Sequence, residues 1–399
     1  MNLLKKILLI FCLLIILVYV TNITSIPSQI VLFEGEELNL GTVYGVTVKE
    51  NNFQKQIVKT SNNLNNNETI TLSLFNTIDV KDVKVDTIPR TTVVPLGNTI
   101  GLKLYTSGVL VVGLTEVNGI KPYENTGIEE GDLIVCVNGI DVTTTEELTE
   151  CVDKSKGKKL EITYIKDGKE HTTNMTATKT SSNEYKLGLW VRDGVAGVGT
   201  ISYYEPSTGM FAALGHGIVD VDTEELVTIS KGTVVTTNVT EIVKGKEGTP
   251  GEIKGTIING LEVGKVNDNS EFGIYGTLTN LSSLNINNQE QYEVALRDEI
   301  KEGKAEVIIN LEDGARKKYE IEITKIYKNN NNDNKSMIIK VTDEELLNLT
   351  GGIIQGMSGA PIVQNGKFIG AVTHVLVSDP TTGYAVFGDL MVKQMRTAK

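Results

Sequence analysis

The chain begins with one continuous apolar segment and continues with short apolar runs separated by polar turns. Lys5 and Lys6 precede the unbroken apolar run 7–20, and polar residues follow it. A basic start before an apolar run is the signal for export with the N-terminus held inside. The run is shorter than the roughly 20 residues of a full membrane span, but flanking Leu and Ile residues extend it. We therefore predict a signal anchor or transmembrane segment over 1–26, with a cleaved signal peptide as the alternative, and an extracytoplasmic location for the remainder.

Beyond residue 26, Val, Ile and Thr recur in short runs that Gly, Asn and Asp interrupt. This pattern predicts a mostly β fold with many turns. The segment 27–92 alternates such runs with polar stretches and is predicted to be a β-rich linker region. Its Asn-rich stretch 62–67 has no apolar period and is predicted to be a surface loop.

The segment 93–178 has an order of its own. Residues 131–139 form a predicted strand that ends in an Asn-Gly hairpin turn. Thr143 to Thr145 would cap a following helix, and residues 160–165 form a further strand. The central motif, Gly-Ile-Glu-Glu-Gly-Asp-Leu-Ile-Val-Cys-Val-Asn-Gly, resembles the PDZ domains attached to bacterial proteases. The resemblance predicts a PDZ domain over 93–178.

A PDZ domain binds an extended peptide along an exposed strand edge and holds the end of that peptide on backbone amides. The helix that carries Leu148 and Val152 would form one wall of the groove. The resemblance assigns the binding loop to four residues, of which the glycine allows close backbone approach: Thr99, Ile100, Gly101 and Leu102. We therefore predict a peptide ligand for this domain, with an empty or blocked groove as the alternative.

The strongest candidate for chemistry is the stretch from Gly356 to Val363, Gly-Met-Ser-Gly-Ala-Pro-Ile-Val, which leads through a short turn into a second apolar strand. A nucleophilic serine must stand clear of a tight turn whose amides point at the developing oxyanion. The pattern predicts Ser358 as the nucleophile and resembles the nucleophile region of chymotrypsin-like peptidases. The backbone N–H groups of Gly356 and Ser358 are the predicted oxyanion hole.

A serine nucleophile needs a base, and histidine is the usual one because its pKa lies near neutrality. The chain has three histidines. His216 ends a segment of small apolar residues that would partly bury the imidazole and leave its edge accessible, so we predict it as the base. His171 lies in a polar turn and is predicted to be solvated. His374 is predicted to line the substrate groove.

The residues alone do not decide which carboxylate would orient the imidazole. Asp343 opens a short predicted helix, where an aspartate is also a natural capping residue. Asp220 and Asp222, shortly after the histidine, are the alternatives. All three therefore stay candidates at this level.

Three segments together resemble the stage IV sporulation protein B peptidase family: 211–223, 341–363 and 370–386. The resemblance implies an N-terminal anchor, a PDZ domain and a serine peptidase domain, here 179–399, with a chymotrypsin-like double β-barrel. In that family a Leu-Gly-His, a Thr-Asp-x-x-Leu-Leu and a Gly-Met-Ser-Gly motif carry the catalytic residues, which correspond here to His216, Asp343 and Ser358. Asp343 lies much closer to the serine in sequence than the triad carboxylate of chymotrypsin-like enzymes does.

The resemblance further implies a serine endopeptidase of sporulation signalling that acts from the forespore, in the space between its two surrounding membranes. Its protein substrate would be a membrane-bound regulator of an intramembrane metalloprotease that activates the late mother-cell sigma factor. It would also cleave itself between the anchor and the PDZ domain. Two functions remain as alternatives: a non-catalytic PDZ protein that recruits partners, and a general envelope quality-control protease.

Net charge and composition argue against some classes of partner and cofactor. The formal net charge of −12 argues against nucleic acid, whose phosphates require a basic face. The histidines and cysteines have no metal-ligand spacing, so we expect neither a metal nor another cofactor. The cysteines lie outside the predicted peptidase domain, which excludes a cysteine nucleophile there. The single tryptophan, Trp190, lies in an apolar run and is predicted to pack in the core.

Overall fold

The computed structural model describes residues 3–36, 38, 46–48, 68–75, 77–284, 286, 289–311, 316–328 and 334–398. The Asn-rich stretch 62–67 lies outside them. The first element is helix α1 (Leu3–Ser25), in which Lys5–Thr24 is long and apolar enough to cross a membrane. None of this stretch is buried against the rest of the chain. Because exposed apolar surface is unfavourable in water, the helix is suited to lipid, in agreement with the predicted anchor.

A small sheet follows the helix. Its strands are β1 (Gln29–Phe33), β2 (Val46–Val48), β3 (Glu68–Leu74) and β4 (Ile78–Ile88). They lie in the order β1-β4-β3-β2, with β1 parallel to β4. Val31 and Phe33 of β1 pack against Leu296 of the C-terminal half. The predicted β-rich region therefore contains a sheet that docks on the peptidase domain.

The next segment contains a PDZ module with its own apolar core. Its elements follow β5 (Thr92–Pro95) along the chain: β6 (Thr99–Leu114), β7 (Leu133–Val137), β8 (Ile140–Asp141), α2 (Thr145–Ser155), β9 (Lys159–Lys166), β10 (Lys169–Thr176), β11 (Thr178–Lys179) and β12 (Tyr185–Lys186). A capping box between Thr144 and Glu147 begins α2. Leu148 and Val152 of α2 are buried in the PDZ core, and they fix the helix that was predicted as a wall of the groove.

A first β-barrel is completed by the strands after the PDZ module: β13 (Leu189–Glu205), β14 (Met210–Ala213), β15 (Ile229–Val243), β16 (Glu252–Ser270) and β17 (Gly273–Leu278). Antiparallel pairing runs β6-β13-β14-β17-β16-β15 and returns to β6. Successive strand residues point to opposite faces, so Phe211 and Ala213 fill this barrel whereas Ala212 packs with the core of the next one.

The long strands β6 and β13 belong to both units, so the PDZ module is inserted between two neighbouring strands of the first barrel. Ile100 and Leu102 pack inside the barrel, whereas residues further along β6 pack in the PDZ core. Leu102 is paired with Gly197 of β13 on one side and with Val234 of β15 on the other. The predicted peptide-binding loop Thr99–Leu102 is therefore wrong, because both edges of that segment are already hydrogen-bonded.

A second barrel forms the C-terminal half. A 3₁₀ turn (Ser282–Leu284) precedes its strands, which are β18 (Tyr292–Val294), β19 (Gly303–Ile309), β20 (Lys317–Ile326), β21 (Met337–Val341), β22 (Pro361–Gln364), β23 (Lys367–Leu376) and β24 (Asp379–Phe387). Antiparallel pairing runs β19-β20-β21-β24-β23-β22 and returns to β19. Helix α3 (Glu344–Thr350) precedes β22, and α4 (Gly388–Thr397) ends the fold. The predicted fold class, mostly β with an apolar N-terminal helix, a PDZ domain and a double-barrel peptidase domain, is confirmed.

Candidate active site

Ser358 lies in the turn between α3 and β22, where the two barrels meet. Gly356 and Gly359 on either side each have a φ of +95°, a left-handed conformation that glycine adopts without strain. Thr200 of the first barrel holds this turn twice: its N–H donates to the Ser358 carbonyl at 3.0 Å, and its Oγ1 donates to the Gly356 carbonyl at 2.7 Å. A Cβ at Gly359 would clash with the Thr200 carbonyl oxygen. The nucleophile turn is therefore fixed by contacts from both barrels.

Two amides of this turn are available to a ligand. The N–H groups of Gly356 and Ser358 donate to no acceptor within the part of the chain that the structure describes. The neighbouring Gly359 N–H, by contrast, donates to the carbonyl oxygen of Val372 at 2.7 Å. Gly356 is buried and Ser358 is half-buried, so both N–H groups are free to bind an acceptor that enters this turn. They are the donors that an oxyanion hole requires.

His216 follows a strained turn at the end of β14. Leu214 and Gly215 have φ angles of +67° and +70°. The left-handed region costs a residue with a side chain about 1–3 kcal/mol, and such strain is concentrated at functional sites. The Leu214 N–H donates to the Thr200 carbonyl at 3.1 Å, and a Cβ at Gly215 would lie 3.1 Å from the methyl group of Thr373. The histidine turn therefore packs directly beside the nucleophile turn.

The His216 imidazole is partly buried, and its Nδ1 lies 2.8 Å from the carbonyl oxygen of Gly217. We assign the proton to Nδ1, because a carbonyl can only accept, and this leaves Nε2 unprotonated. Burial lowers the pKa of His216, and the hydrogen bond to Gly217 offsets this only in part. The ring is therefore neutral near pH 7, with Nε2 available as a base.

The predicted nucleophile, base and groove residue meet at this point. Ser358 Oγ donates to the Thr373 carbonyl oxygen at 2.8 Å, and the ring of the next residue, His374, lies 5.0 Å from the ring of His216. Catalytic hydrogen bonds are often absent or loose without substrate, so the bond to Thr373 does not exclude Ser358 as a nucleophile. His171 lies apart from this group, exposed on β10 of the PDZ module.

The structure does not bring Asp343 to the histidine. One carboxylate oxygen caps α3 by accepting from the Leu346 N–H at 3.0 Å, and the other accepts from the Glu320 N–H at 3.3 Å. Among the described residues, none of its hydrogen bonds reaches His216. Asp343 therefore caps α3 in this structure, the role that its sequence position also favoured, and its orienting role stays a prediction.

The alternative carboxylates, Asp220 and Asp222, both bind Arg192. Asp220 is 1% exposed and pairs with one guanidinium nitrogen, while Asp222 pairs with the other at 2.7 Å. Burial raises the pKa of Asp220, but backbone N–H donors and the guanidinium outweigh it and hold that pKa below its usual value. Neither carboxylate bonds to His216 in the described part of the chain, where the Gly217 carbonyl is the partner of its Nδ1.

The open edge of the PDZ module lies on β13. From Leu189 to Arg192 this strand pairs with β6 on one side, and no strand among the described residues pairs with its other side. Gly188, with a φ of +73°, precedes this edge. At the far end the Asp193 carboxylate accepts from the Thr145 N–H, at the start of α2, at 2.7 Å. A backbone edge between a glycine turn and a helix is the arrangement in which PDZ domains bind peptides.

Sequence reasoning missed this edge although a signal was present. Leu187-Gly188-Leu189 repeats the apolar-Gly-Leu pattern that was assigned at Gly101. The prediction for Trp190 was also wrong, because its side chain is 65% exposed. Strand alternation explains this: Leu189 and Val191 turn toward the PDZ core, so Trp190 between them faces the other way.

Two antiparallel barrels that meet at a serine, a neutral histidine and a pair of unpaired amides define a serine peptidase. Together with the PDZ module, they define a PDZ-containing serine peptidase. The chain belongs to the SpoIVB peptidase S55 family, whose model matches residues 183–392, and a PDZ domain model matches residues 92–176. It is a serine endopeptidase.

Other similarities cover parts of the chain. The zinc metalloprotease RasP from Shouchella clausii (strain KSM-K16) is 35% identical over 102 residues, which are 25% of this chain and only 23% of that protein. The HtrA-type protease AlgW, solved with a decapeptide, is 10% identical over 76% of this chain and 65% of its own, with a TM-score of 0.32. The PDZ domain of an SdrC-like protein from Listeria monocytogenes is 21% identical over 21% of this chain and 87% of its own, with a TM-score of 0.19.

Proposed function

We propose that this chain is a membrane-anchored signalling peptidase in which Ser358 and His216 hydrolyse peptide bonds by acyl transfer. The observation that supports this best is the pair of unpaired N–H groups, of Gly356 and Ser358, beside the histidine turn. His216 Nε2 takes the proton of Ser358 Oγ, and the oxygen attacks the peptide carbonyl. The two amides hold the oxyanion. His216 then protonates the leaving amine, and water hydrolyses the acyl-enzyme.

In this mechanism the Gly217 carbonyl takes part of the role that a triad carboxylate has. It fixes the tautomer of His216, because the Nδ1 proton stays in the hydrogen bond to the carbonyl oxygen. A neutral carbonyl stabilises the imidazolium less than a carboxylate does, since it carries only a partial charge. We therefore expect a slow peptidase, which suits an enzyme that cuts few substrates once.

The family supports a role in sporulation signalling. We infer that the substrate is a membrane-bound regulator of an intramembrane metalloprotease, and that its cleavage leads to activation of the late mother-cell sigma factor. Helix α1 would hold the catalytic domain at the membrane surface, in the forespore intermembrane space. Self-cleavage between α1 and the PDZ module would then release the soluble part.

The PDZ edge supports a peptide ligand. An extended peptide would pair with the open side of β13 between Leu189 and Arg192, next to α2. The turn at Gly188 would receive the end of the peptide, because a glycine at a φ of +73° allows close backbone approach. The ligand would be a terminal segment of the substrate or of this chain.

One observation favours a second function, a non-catalytic protein that recruits partners through its PDZ module. Ser358 Oγ bonds to the Thr373 carbonyl, and Asp343 is engaged as a helix cap. A folded domain of this kind would bind a substrate without cutting it. Labelling by a mechanism-based probe separates the two functions.

The test compares the full chain in detergent with its Ser358→Ala variant. Covalent labelling by a fluorophosphonate probe reports an activated serine, and mass spectrometry reports self-cleavage. Loss of both signals in the variant supports the peptidase, whereas folded wild-type protein that is neither labelled nor cut supports the recruiter. Cleavage of a broad unfolded substrate such as casein would favour a quality-control protease instead.

A further inference from the structure

Strand β13 joins the PDZ edge to the catalytic barrel without a linker. Its first residues, from Leu189 to Arg192, form the open PDZ edge, and its later residues form a wall of the first barrel. The pairing with β6 continues through both parts, with register shifts at Trp190/Val191 and at Arg192/Gly194. The pairing holds the backbone on both sides of these shifts, so displacement of the edge can pass to the barrel more directly than through a flexible connection.

Arg192 of this edge strand binds the segment that follows His216. Its two terminal guanidinium nitrogens pair with Asp220 and Asp222, which follow His216 by only a few residues. Asp220 is 1% exposed, whereas Arg192 is 33% exposed, so the contact is buried on the carboxylate side and partly open to solvent on the guanidinium side. The bidentate grip of a guanidinium also fixes direction, which a point charge would not do.

The segment held by Arg192 is residues 216–227, which we call the histidine loop. Asn269 of β16 holds its base, accepting from the Ile218 N–H at 2.9 Å and donating to the carbonyl oxygens of Ile218 and Val227 at 2.8 Å each. Asp220 holds its tip, since one carboxylate oxygen accepts from the Asp222 N–H at 3.0 Å. The loop thus has two fixed points, one in the barrel and one that depends on Arg192.

The same loop also lies close to the PDZ module. A Cβ at Gly131, in the turn before β7, would lie 3.2 Å from the carboxylate of Glu225 in the histidine loop. The Asp220 N–H donates to the Glu225 carbonyl at 2.9 Å. Glu225 and the residue that Arg192 binds, Asp220, therefore lie in the same turn. The loop that begins with the proposed base is therefore bonded to the barrel through Asn269 and to the PDZ edge strand through Arg192, and its Glu225 lies near the turn at Gly131.

We propose that Arg192 is a positioning residue for His216 and couples the open PDZ edge to the catalytic base. The proposal rests on the proposed function, in which His216 is that base. A peptide that pairs with Leu189–Arg192 adds backbone hydrogen bonds to the strand segment that ends with Arg192, the residue that binds Asp220. Its binding therefore acts on the orientation of the histidine loop, and a displaced imidazole loses reactivity steeply because proton transfer depends on geometry.

The first measurement is the rate of fluorophosphonate labelling of the full chain in detergent. Arg192→Gln should lower the maximal labelling rate about tenfold with little change in probe affinity. Arg192→Lys should recover part of it, since an ammonium reaches only one carboxylate. The matched control is Arg90→Gln, which removes an exposed ion pair with Glu293 and should leave the rate unchanged. Equal rates for Arg192→Gln and the control, or a loss explained by unfolding, would overturn the proposal.

The second measurement does not depend on activity. With the histidine side chains isotopically labelled, Arg192→Gln should shift or broaden the NMR signal of His216 and leave that of exposed His171 unchanged. An unchanged His216 signal would overturn the proposal even in an active enzyme. If the wild type is folded but unlabelled by the probe, the proposed function fails, and the His216 signal still decides whether Arg192 positions the loop.

Discussion

The role of Asp343 is the sharpest point at which motif and structure differ, and one isosteric substitution tests it. Asp343→Asn keeps the size of the side chain and removes its charge. Asparagine caps helices about as well as aspartate, so the bond to the Leu346 N–H is retained. As the cap of α3, Asp343 should tolerate this change with labelling within about threefold of wild type. As a triad carboxylate, its loss would lower the rate by about 10⁴.

The stability effect follows from the same contacts. Asp343→Ala removes the cap and should cost about 1 kcal/mol of the free energy of unfolding. For a domain of this size that corresponds to a Tm lower by about 2–4 °C. Asp343→Asn keeps the cap and loses the interaction of the charge with the helix dipole, about 0.3–1 kcal/mol, and also the bond from the Glu320 N–H, which an amide nitrogen cannot accept, whereas Asp343→Ala loses all of these. The two variants should therefore differ in Tm and resemble each other in activity.

The assay measures the fluorophosphonate labelling rate and the thermal midpoint on the same preparations. Glu344→Gln is the matched control, because it removes a charge from the first turn of α3 without removing the cap. A 10⁴-fold loss in Asp343→Asn, with a Tm close to that of the control, would refute our reasoning. It would mean that the reactive conformation brings Asp343 to His216 in an arrangement other than the one described here.

Three further predictions concern the base, the core and the oxyanion hole. The midpoint of the acid limb in the pH profile of kcat/KM should lie below pH 6.5, because burial lowers the pKa of His216 and the neutral imidazole is the active form. A midpoint above pH 6.5 would contradict this. Arg297→Ala should lower the free energy of unfolding in urea by about 3–5 kcal/mol, since it leaves Asp389 buried and unpaired; a loss below about 1 kcal/mol would argue against this. Gly356→Ala should lower kcat about a hundredfold in a peptide cleavage assay. A Cβ at this position, where φ is +95°, would lie 3.0 Å from Ile253 and would shift the Gly356 N–H away from the oxyanion. An unchanged kcat would exclude the Gly356 N–H as an oxyanion donor.

Local patterns in the sequence predict individual strands and turns more reliably than they predict which strands pair with each other. The turn around Ser358 and the strands after it follow from residues that are neighbours in the chain. The pairing of Leu102 with Gly197 and Val234 joins residues far apart in sequence, and no local period identifies such a partner. At residues 99–102, a peptide-binding loop and a strand of the barrel therefore have the same local sequence pattern.

Asp343 illustrates a different limit. Its surroundings in sequence fit a helix cap and a catalytic carboxylate equally well, because both roles use an aspartate before a short apolar helix. The deciding contacts are with the Leu346 and Glu320 N–H groups, and the second of these lies on a strand that the motif does not include. For Trp190, the sequence shows that neighbouring residues of the strand face opposite sides of the sheet, but it does not show which side faces the core.

The insertion of the PDZ module between β6 and β13 has a consequence for the order of folding. Leu114 and Leu189 pair across the base of the module, at the two ends of the inserted chain. Closing this roughly 75-residue loop in an unfolded chain costs about 4 kcal/mol of conformational entropy. Once the module has folded, the two strand ends are already adjacent, so closure of the barrel becomes a local event. When the inserted module folds first, it therefore lowers the entropy cost of closing the barrel around it.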